Sequence, residues 1–181
     1  MTEMHLSCTL ESVKTWHILR LPPEASRELP SRGMLMAAGT LNGIPVTAPL
    51  EPDGLGSHWF RVSDALKAAA ALDAGSTVTL SLHLVKDWPE PEVPRDLWEA
   101  LAAHDLSARW QGITVRARWE WIRWVRSTPS AETRQRRIRV TCSKLAAGKN
   151  RPCCFDMSRC TEPAVCRNGV LTVPAAAQSD L

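Results

Sequence analysis

The sequence predicts a two-part protein, in which a small β-domain precedes an Arg/Trp-rich helical module. Turn signals and alternating apolar residues fill the first half of the chain, and apolar residues at helical spacing fill the second. Residues 1–93 hold seven Lys and Arg against eleven Asp and Glu, a net charge of −4. Residues 94–181 hold fifteen against eight, a net charge of +7. This asymmetry indicates two modules, of which the second attracts an anion, a nucleic acid or an acidic protein surface.

The composition is that of a folded globular protein. The chain has 181 residues, of which 44% are hydrophobic and 23% charged, enough to bury one ordinary core or two small ones. No apolar run is long enough to span a bilayer, and the first residues lack the apolar stretch of a secretory signal. We therefore expect a cytoplasmic protein with reduced cysteines, and disulfide bonds are the less favoured alternative.

The β-domain is predicted from its turns and from one clear alternating strand. Asn42-Gly43 is a strong hairpin signal, and Pro45 just after it indicates an edge or bulged strand. In Ser76–Val85, four apolar residues alternate with polar ones, as in a half-buried strand. An extended segment is predicted over Cys8–Leu19, a turn at Pro52–Gly54 and a strand over His58–Val62. A helix capped by Ser63 is predicted to run through Leu72, with Gly75 just beyond it.

The proline-rich stretch Trp88–Pro94 separates this domain from the helical part of the chain. Helices are expected over Arg95–Ala103, around Trp110 and over Arg116–Ser127. A last helix is expected to begin with Thr128 as its cap and Pro129 at its first position, and Gly148 is expected just past its end. An irregular, Cys-containing tail with a short strand over Gly169–Val173 is expected to follow. The predicted domains are therefore residues 1–93, 94–150 and 151–181.

Several motifs carry a resemblance to a known family. Leu29–Met34, Leu41–Gly43 and Leu50–Trp59 resemble the DUF1905 domain. The segments that resemble the OmdA module are Glu92–Leu97, Trp119–Trp124, Glu132–Arg134 and Arg136–Ile138. Together they are similar to the YdeI/OmpD-associated (bacteriocin-protection) family. The resemblance implies a double-split β-barrel of the AbrB/MazE-like type followed by helices, and a loose association with resistance to bacteriocins or cationic peptides. It brings no established catalytic residues, and by analogy with AbrB-like barrels it makes a homodimer an expectation.

One face of the helix predicted over Arg116–Ser127 is a candidate binding surface. Trp121, Trp124 and Val125 share an apolar face, whereas Trp119 lies on another face among arginines. A Trp between guanidinium groups suits stacking on a base while the arginines bind phosphate. The candidate anion- or nucleic-acid-binding residues on this helix and the next are Arg116, Trp119, Arg123, Arg126, Arg134 and Arg137. The alternative is structural, with Trp119 packed and the arginines paired with acidic residues of the first half.

The cysteines of the tail are weak candidates for a structural zinc site. Four thiolates can bind zinc, but no CxxC pair is present and adjacent cysteines rarely bind one ion together. The four residues are Cys153, Cys154, Cys160 and Cys166. We expect them to be free thiols and Cys142 to lie in the core, so no cofactor is predicted.

The sequence offers little for catalysis. His58, beside Trp59 after a Gly-rich turn, is the one histidine whose position allows a place at a pocket rim, but a hydrogen-bonded structural role is more common for such a residue. The favoured function is a non-enzymatic interaction or stress-tolerance protein of the YdeI/OmdA type. The alternatives are nucleic-acid or polyanion binding through the helical module, and a ligand-binding or enzymatic barrel with a pocket near His58.

Overall fold

The computed structural model describes residues 3–153 and 155–172, which form two compact units. The barrel unit takes in the described residues up to Lys86, Met157–Cys160, and the described residues from Arg167 to Thr172. The helical unit takes in Asp87–Asp156 and Thr161–Cys166. The segment after residue 150 is therefore divided between the two units.

Six antiparallel strands of the barrel unit close on themselves in the order β1-β2-β5-β4-β3-β6. The strands are β1 (Met4–Val13), β2 (Trp16–Arg20), β3 (Leu35–Leu41), β4 (Ile44–Pro52), β5 (His58–Val62) and β6 (Thr77–Leu84). Two short helices, α1 (Pro23–Arg27) and α2 (Asp64–Ala69), lie between them in the chain. The predicted fold class, a β-barrel followed by helices, is confirmed.

Alternating side chains of the strands fill the barrel. In β6 the apolar residues Val78, Leu80 and Leu82 are buried, while Thr77 and Thr79 are exposed. They pack with residues of the other five strands, such as Leu10, into one core. The period-two pattern therefore places β6 correctly from sequence alone.

The hairpin of β3 and β4 turns at Asn42-Gly43, as predicted. Both residues have positive φ, 48° and 83°, which matches the right-handed twist of the two strands. Pro45 pairs with β3 on one side, whereas β4 pairs with β5 only at Glu51 and Pro52. Pro45 therefore lies on a local edge, where a missing N–H is tolerated.

The extended segment expected over Cys8–Leu19 is instead a hairpin. Strands β1 and β2 meet at Lys14-Thr15, and Lys14 has φ 55°. The turn contains neither Gly nor Asn, the residues that usually adopt positive φ, and Lys rarely does. The sequence therefore contains no signal for this hairpin.

Helix α2 is shorter than expected and ends without glycine. Its N-cap is Ser63, as predicted, and the Ser63 side chain accepts from the N–H of Leu66. The left-handed residue after the helix is Ala71, with φ 48°, and not Gly75. The N–H of Leu72 donates to the carbonyl of Lys67, which completes a Schellman motif around this alanine.

The helical unit contains four helices packed around one core. They are α3 (Arg95–Ala103), α4 (Ser107–Gly112), α5 (Val115–Arg126) and α6 (Ala131–Ala146). The strands β7 (Cys166–Arg167) and β8 (Val170–Leu171) follow, and Val173 lies outside the described residues. Among the described residues, no helix has the length and apolarity needed to cross a membrane.

The N-cap of helix α6 lies two residues later than predicted. The Ser130 side chain accepts from the N–H of Thr133, so Ser130 and not Thr128 is the N-cap. Pro129 accordingly precedes the helix. Gly148 follows the helix with φ 79°, and the Lys149 N–H donates to the Lys144 carbonyl, so the predicted glycine stop is confirmed.

Candidate functional site

The apolar face of α5 lies in the core of the helical unit. Ala117, Trp121 and Val125 are buried, as the helical spacing predicts. Trp124 is half-buried and packs edge-on against Trp121, with ring centroids 5.7 Å apart. The tryptophans of this face are therefore structural.

A buried carboxylate lies between two arginines beside this apolar face. Glu120 is 2% exposed, and its Oε atoms lie 3.6 Å from Arg116 Nε and 3.3 Å from Arg151 Nε. Burial raises the pKa of Glu120, an effect opposed by the positive charges of Arg151, Arg116 and Arg123. The Arg116 guanidinium also lies 5.3 Å from the ring of Trp88. Glu120 was not among the predicted site residues.

Trp119 is half-buried, and its indole N–H donates to the Pro89 carbonyl at 2.9 Å. This bond ties α5 to the proline-rich segment before α3. The stacking platform expected from the sequence is thus partly covered.

Arg123, one of the candidate binding residues of α5, is completely buried. Its Nε atom donates to Thr161 Oγ1 at 3.2 Å, and its guanidinium lies 5.3 Å from the ring of Phe155. Arg126, one turn further, is half-buried and also engaged. Arg123 therefore does not face solvent, because residues more than 30 positions later in the chain cover it.

Arg134 forms a bidentate salt bridge with Asp96 of α3. Its Nε and Nη2 atoms donate to the two carboxylate oxygens of Asp96 at 2.7 and 2.8 Å. The hydrogen bond from Arg134 holds the pKa of Asp96 below its usual value. This residue therefore joins α6 to α3.

Arg137 joins α6 to the end of α5. Its Nη1 atom donates to the Trp124 carbonyl at 2.7 Å and to Ser127 Oγ at 2.6 Å. Burial, and secondarily the charge of Arg136, lowers the pKa of Arg137. Two of the predicted ligand-binding arginines, Arg134 and Arg137, are thus already engaged in helix packing.

Another arginine that sequence reasoning missed supports the same packing. Arg118 is 7% exposed and donates two hydrogen bonds to the Glu90 carboxylate, at 3.0 and 2.6 Å. It also donates to backbone carbonyls around the end of α4, including that of Gln111 at 2.9 Å. Arg118 therefore satisfies carbonyls that the end of a helix leaves without partners.

The arginines of α6 that face solvent are Arg136 and Arg139. They are three residues apart and so share one exposed face of the helix. Within residues 3–153 and 155–172 neither side chain forms an ion pair, a hydrogen bond or a ring contact. A helical projection anchored on buried Ile138 and Cys142 would have found them.

Two protein families match the chain in the predicted order. DUF1905, a domain of unknown function, matches residues 8–82, which form most of the barrel. OmdA, described as "Bacteriocin-protection, YdeI or OmpD-Associated", matches residues 90–148, which form the helices. The chain therefore carries one region similar to each family, with the DUF1905 match on the N-terminal side of the OmdA match. No curated protein matches the chain significantly.

In the DUF1905 region, the predicted pocket residues are packed away. His58 is completely buried, with Nδ1 3.2 Å from Ser26 Oγ and Nε2 3.0 Å from the Gly33 carbonyl oxygen. Trp59 is 2% exposed, and its indole N–H donates to the Pro52 carbonyl. His58 therefore does not reach a pocket rim, and its ring links α1 to the loop before β3, the structural role that such a residue more commonly has.

The cysteines after the OmdA region differ from the expectation of free thiols. Cys160 and Cys166 are disulfide-bonded, which removes both as thiolate ligands for zinc. Cys153 is an exposed thiol, and Cys154 lies outside the described residues. Within the described part of the chain, no cluster of three or more His, Cys, Asp or Glu side chains is arranged to bind a metal ion.

Proposed function

We propose that the protein is a non-enzymatic interaction protein of the YdeI/OmdA stress-tolerance type, which binds an acidic protein partner through α6. One observation carries the proposal: Arg136 and Arg139 are exposed together and form no ion pair within the described residues. The match of residues 90–148 to the OmdA family model supports the stress-tolerance class. Two adjacent solvated guanidinium groups attract carboxylates and speed the encounter with an acidic surface.

Survival of bacteria under bacteriocin challenge tests this function. Cells that express the wild-type chain should survive better than cells that express R136Q/R139Q, because the double variant lacks both exposed charges. R95Q is a matched control, since Arg95 is exposed but pairs with Glu99 on the same helix at 2.7 Å. Equal survival with the wild type and R136Q/R139Q, at equal protein levels, contradicts the proposal.

Nucleic-acid or polyanion binding through the basic helical module is the second candidate. The net charge of residues 116–151, with eleven basic and two acidic residues, favours it. The stacking half of that hypothesis is weaker, because Trp119 is partly buried and Arg123 wholly so. Gel shifts with single- and double-stranded DNA and RNA over a salt series test it. Absence of any shift at low salt excludes it.

A further inference from the structure

Two Asn-Gly dipeptides form turns of the same backbone geometry in the barrel unit. Asn42-Gly43 joins β3 to β4 with φ values of 48° and 83°, and Asn168-Gly169 joins β7 to β8 with φ values of 54° and 80°. Both asparagines are exposed. Asparagine deamidates most readily before glycine, because glycine has no side chain to hinder attack by its amide nitrogen. The two turns therefore offer a matched comparison of one reaction within one protein.

The two asparagines differ in how their carboxamide groups are held. Asn42 Oδ1 accepts from the N–H of Thr79 at 2.9 Å, and the N–H of Asn42 donates to the Thr79 carbonyl at 2.9 Å. Among the residues that the structure describes, the carboxamide of Asn168 has no hydrogen-bond partner. The Asn168 side chain can therefore rotate toward the nitrogen of the following glycine without breaking such a bond.

The Asn168-Gly169 turn packs closely against the loop between β4 and β5. A Cβ atom on Gly54 of that loop would lie 2.1 Å from the Gly169 carbonyl oxygen, so no spare room exists at this contact. Just after the turn, the N–H of Leu171 donates to the Asp53 carbonyl at 2.7 Å. Both contacts depend on the length of the main chain at residue 168.

We propose that Asn168 is a site of spontaneous deamidation, and that its conversion to isoaspartate detaches the turn from the loop at Gly54. The main chain of isoaspartate runs through the side-chain Cβ and Cγ atoms, so it is longer by one bond of about 1.5 Å. The added bond displaces the Gly169 carbonyl from its close contact and moves Leu171 out of reach of Asp53.

The reaction consumes one water molecule and releases one molecule of ammonia. The Gly169 nitrogen loses its proton to a base and attacks Asn168 Cγ, and the Cγ–Nδ2 bond breaks as the nitrogen takes up a proton and leaves as ammonia. Water then hydrolyses one of the two carbonyl–nitrogen bonds of the resulting succinimide ring. Opening at the original main-chain carbonyl gives isoaspartate, and opening at the side-chain carbonyl gives aspartate. Either product places a carboxylate on the turn.

Incubation of the folded protein at neutral pH, with peptide mass spectrometry of timed samples, tests the site. Asn168 should convert at least about fivefold faster than Asn42, because the bond to Thr79 must break before Asn42 reacts. In urea, where both turns are unfolded, the two rates should become similar. Equal rates in the folded protein, or no conversion at Asn168, overturn the proposal. A preference for Asn168 that persists unchanged in urea also overturns it, since that result reflects the neighbouring residues and not the fold.

Hydrogen exchange tests the detachment. In aged protein, peptides that carry isoaspartate at residue 168 should exchange the Leu171 amide proton about tenfold or more faster than those of fresh protein, because the bond to Asp53 is lost. N168D is the matched control, since it adds the same charge without lengthening the main chain, and it should exchange this proton as fresh wild type does. Equal exchange in the isoaspartate form and fresh protein, or equally fast exchange in N168D, overturns the detachment. Neither measurement depends on the binding role of α6.

Discussion

At the scale of single residues, the ion pair of Asp96 and Arg134 is the contact with the most direct pH signature. Both side chains are about a quarter to a third exposed, at 33% and 26%, so solvent screens part of their attraction. Parallel hydrogen bonds offset that screening by fixing the geometry. The pair joins α3 to α6 and thereby positions the helix that carries Arg136 and Arg139.

Replacing Asp96 by Asn should reduce the free energy of unfolding by about 1 kcal/mol at neutral pH. The folded pKa of Asp96 is lowered from 3.8, so its contribution is present above that value and disappears as the pH falls through the folded pKa. Urea unfolding of wild type and D96N across this range measures the difference. E99Q, at an exposed pair, is the control. A D96N effect that persists undiminished in acid contradicts this assignment.

The thiols of the described residues differ sharply in accessibility. Burial raises the pKa of Cys8 to about 11 and also raises that of Cys142, whereas Cys153 is exposed. Because the thiolate is the reactive form, iodoacetamide should modify Cys153 of the folded protein first and leave Cys8 and Cys142 unmodified until unfolding. Mass spectrometry of timed samples measures the order. Modification of Cys8 as fast as Cys153 would disprove the burial of Cys8 in the barrel.

At the scale of elements, the start of α6 depends on one hydroxyl group. Ser130 Oγ accepts from the N–H of Thr133 at 3.2 Å and satisfies a donor that the helix leaves open. S130A should therefore destabilise the protein by about 1 kcal/mol. T128A should cost less, since Thr128 Oγ1 accepts only from the N–H of Ser130 in the loop. Chemical denaturation compares the two, and a larger loss in T128A would restore the cap predicted from sequence.

Elements were predictable where a local pattern dictates them. The Asn42-Gly43 turn, strand β6 and helix α3 follow from turn chemistry, alternation and the proline before Arg95. The β1–β2 hairpin was not predictable in this way, because Lys14 adopts positive φ without any local sequence signal. The burial of Arg123 was not predictable either, because the arginine contacts Thr161 far along the chain. The spacing of residues within α5 carries no information about that contact.

At the scale of the whole molecule, the positive charge of the second half is divided between structure and surface. Arg118, Arg123, Arg134 and Arg137 contact groups inside the helical unit and stabilise its packing. Their burial reduces the charge that the sequence seemed to offer to a ligand. The exposed pair on α6, Arg136 and Arg139, remains available to an acidic partner, so binding should depend strongly on these two charges.

Fluorescence anisotropy with a labelled poly-glutamate peptide, over a salt series, tests this claim most directly. Wild-type protein should bind the peptide with an affinity that falls as salt rises, because the contacts are between solvated charges. R136Q/R139Q should lose most of the binding and most of its salt dependence, while R95Q should retain both. Equal binding curves for R136Q/R139Q and wild type would contradict the assignment of α6 as the interaction surface.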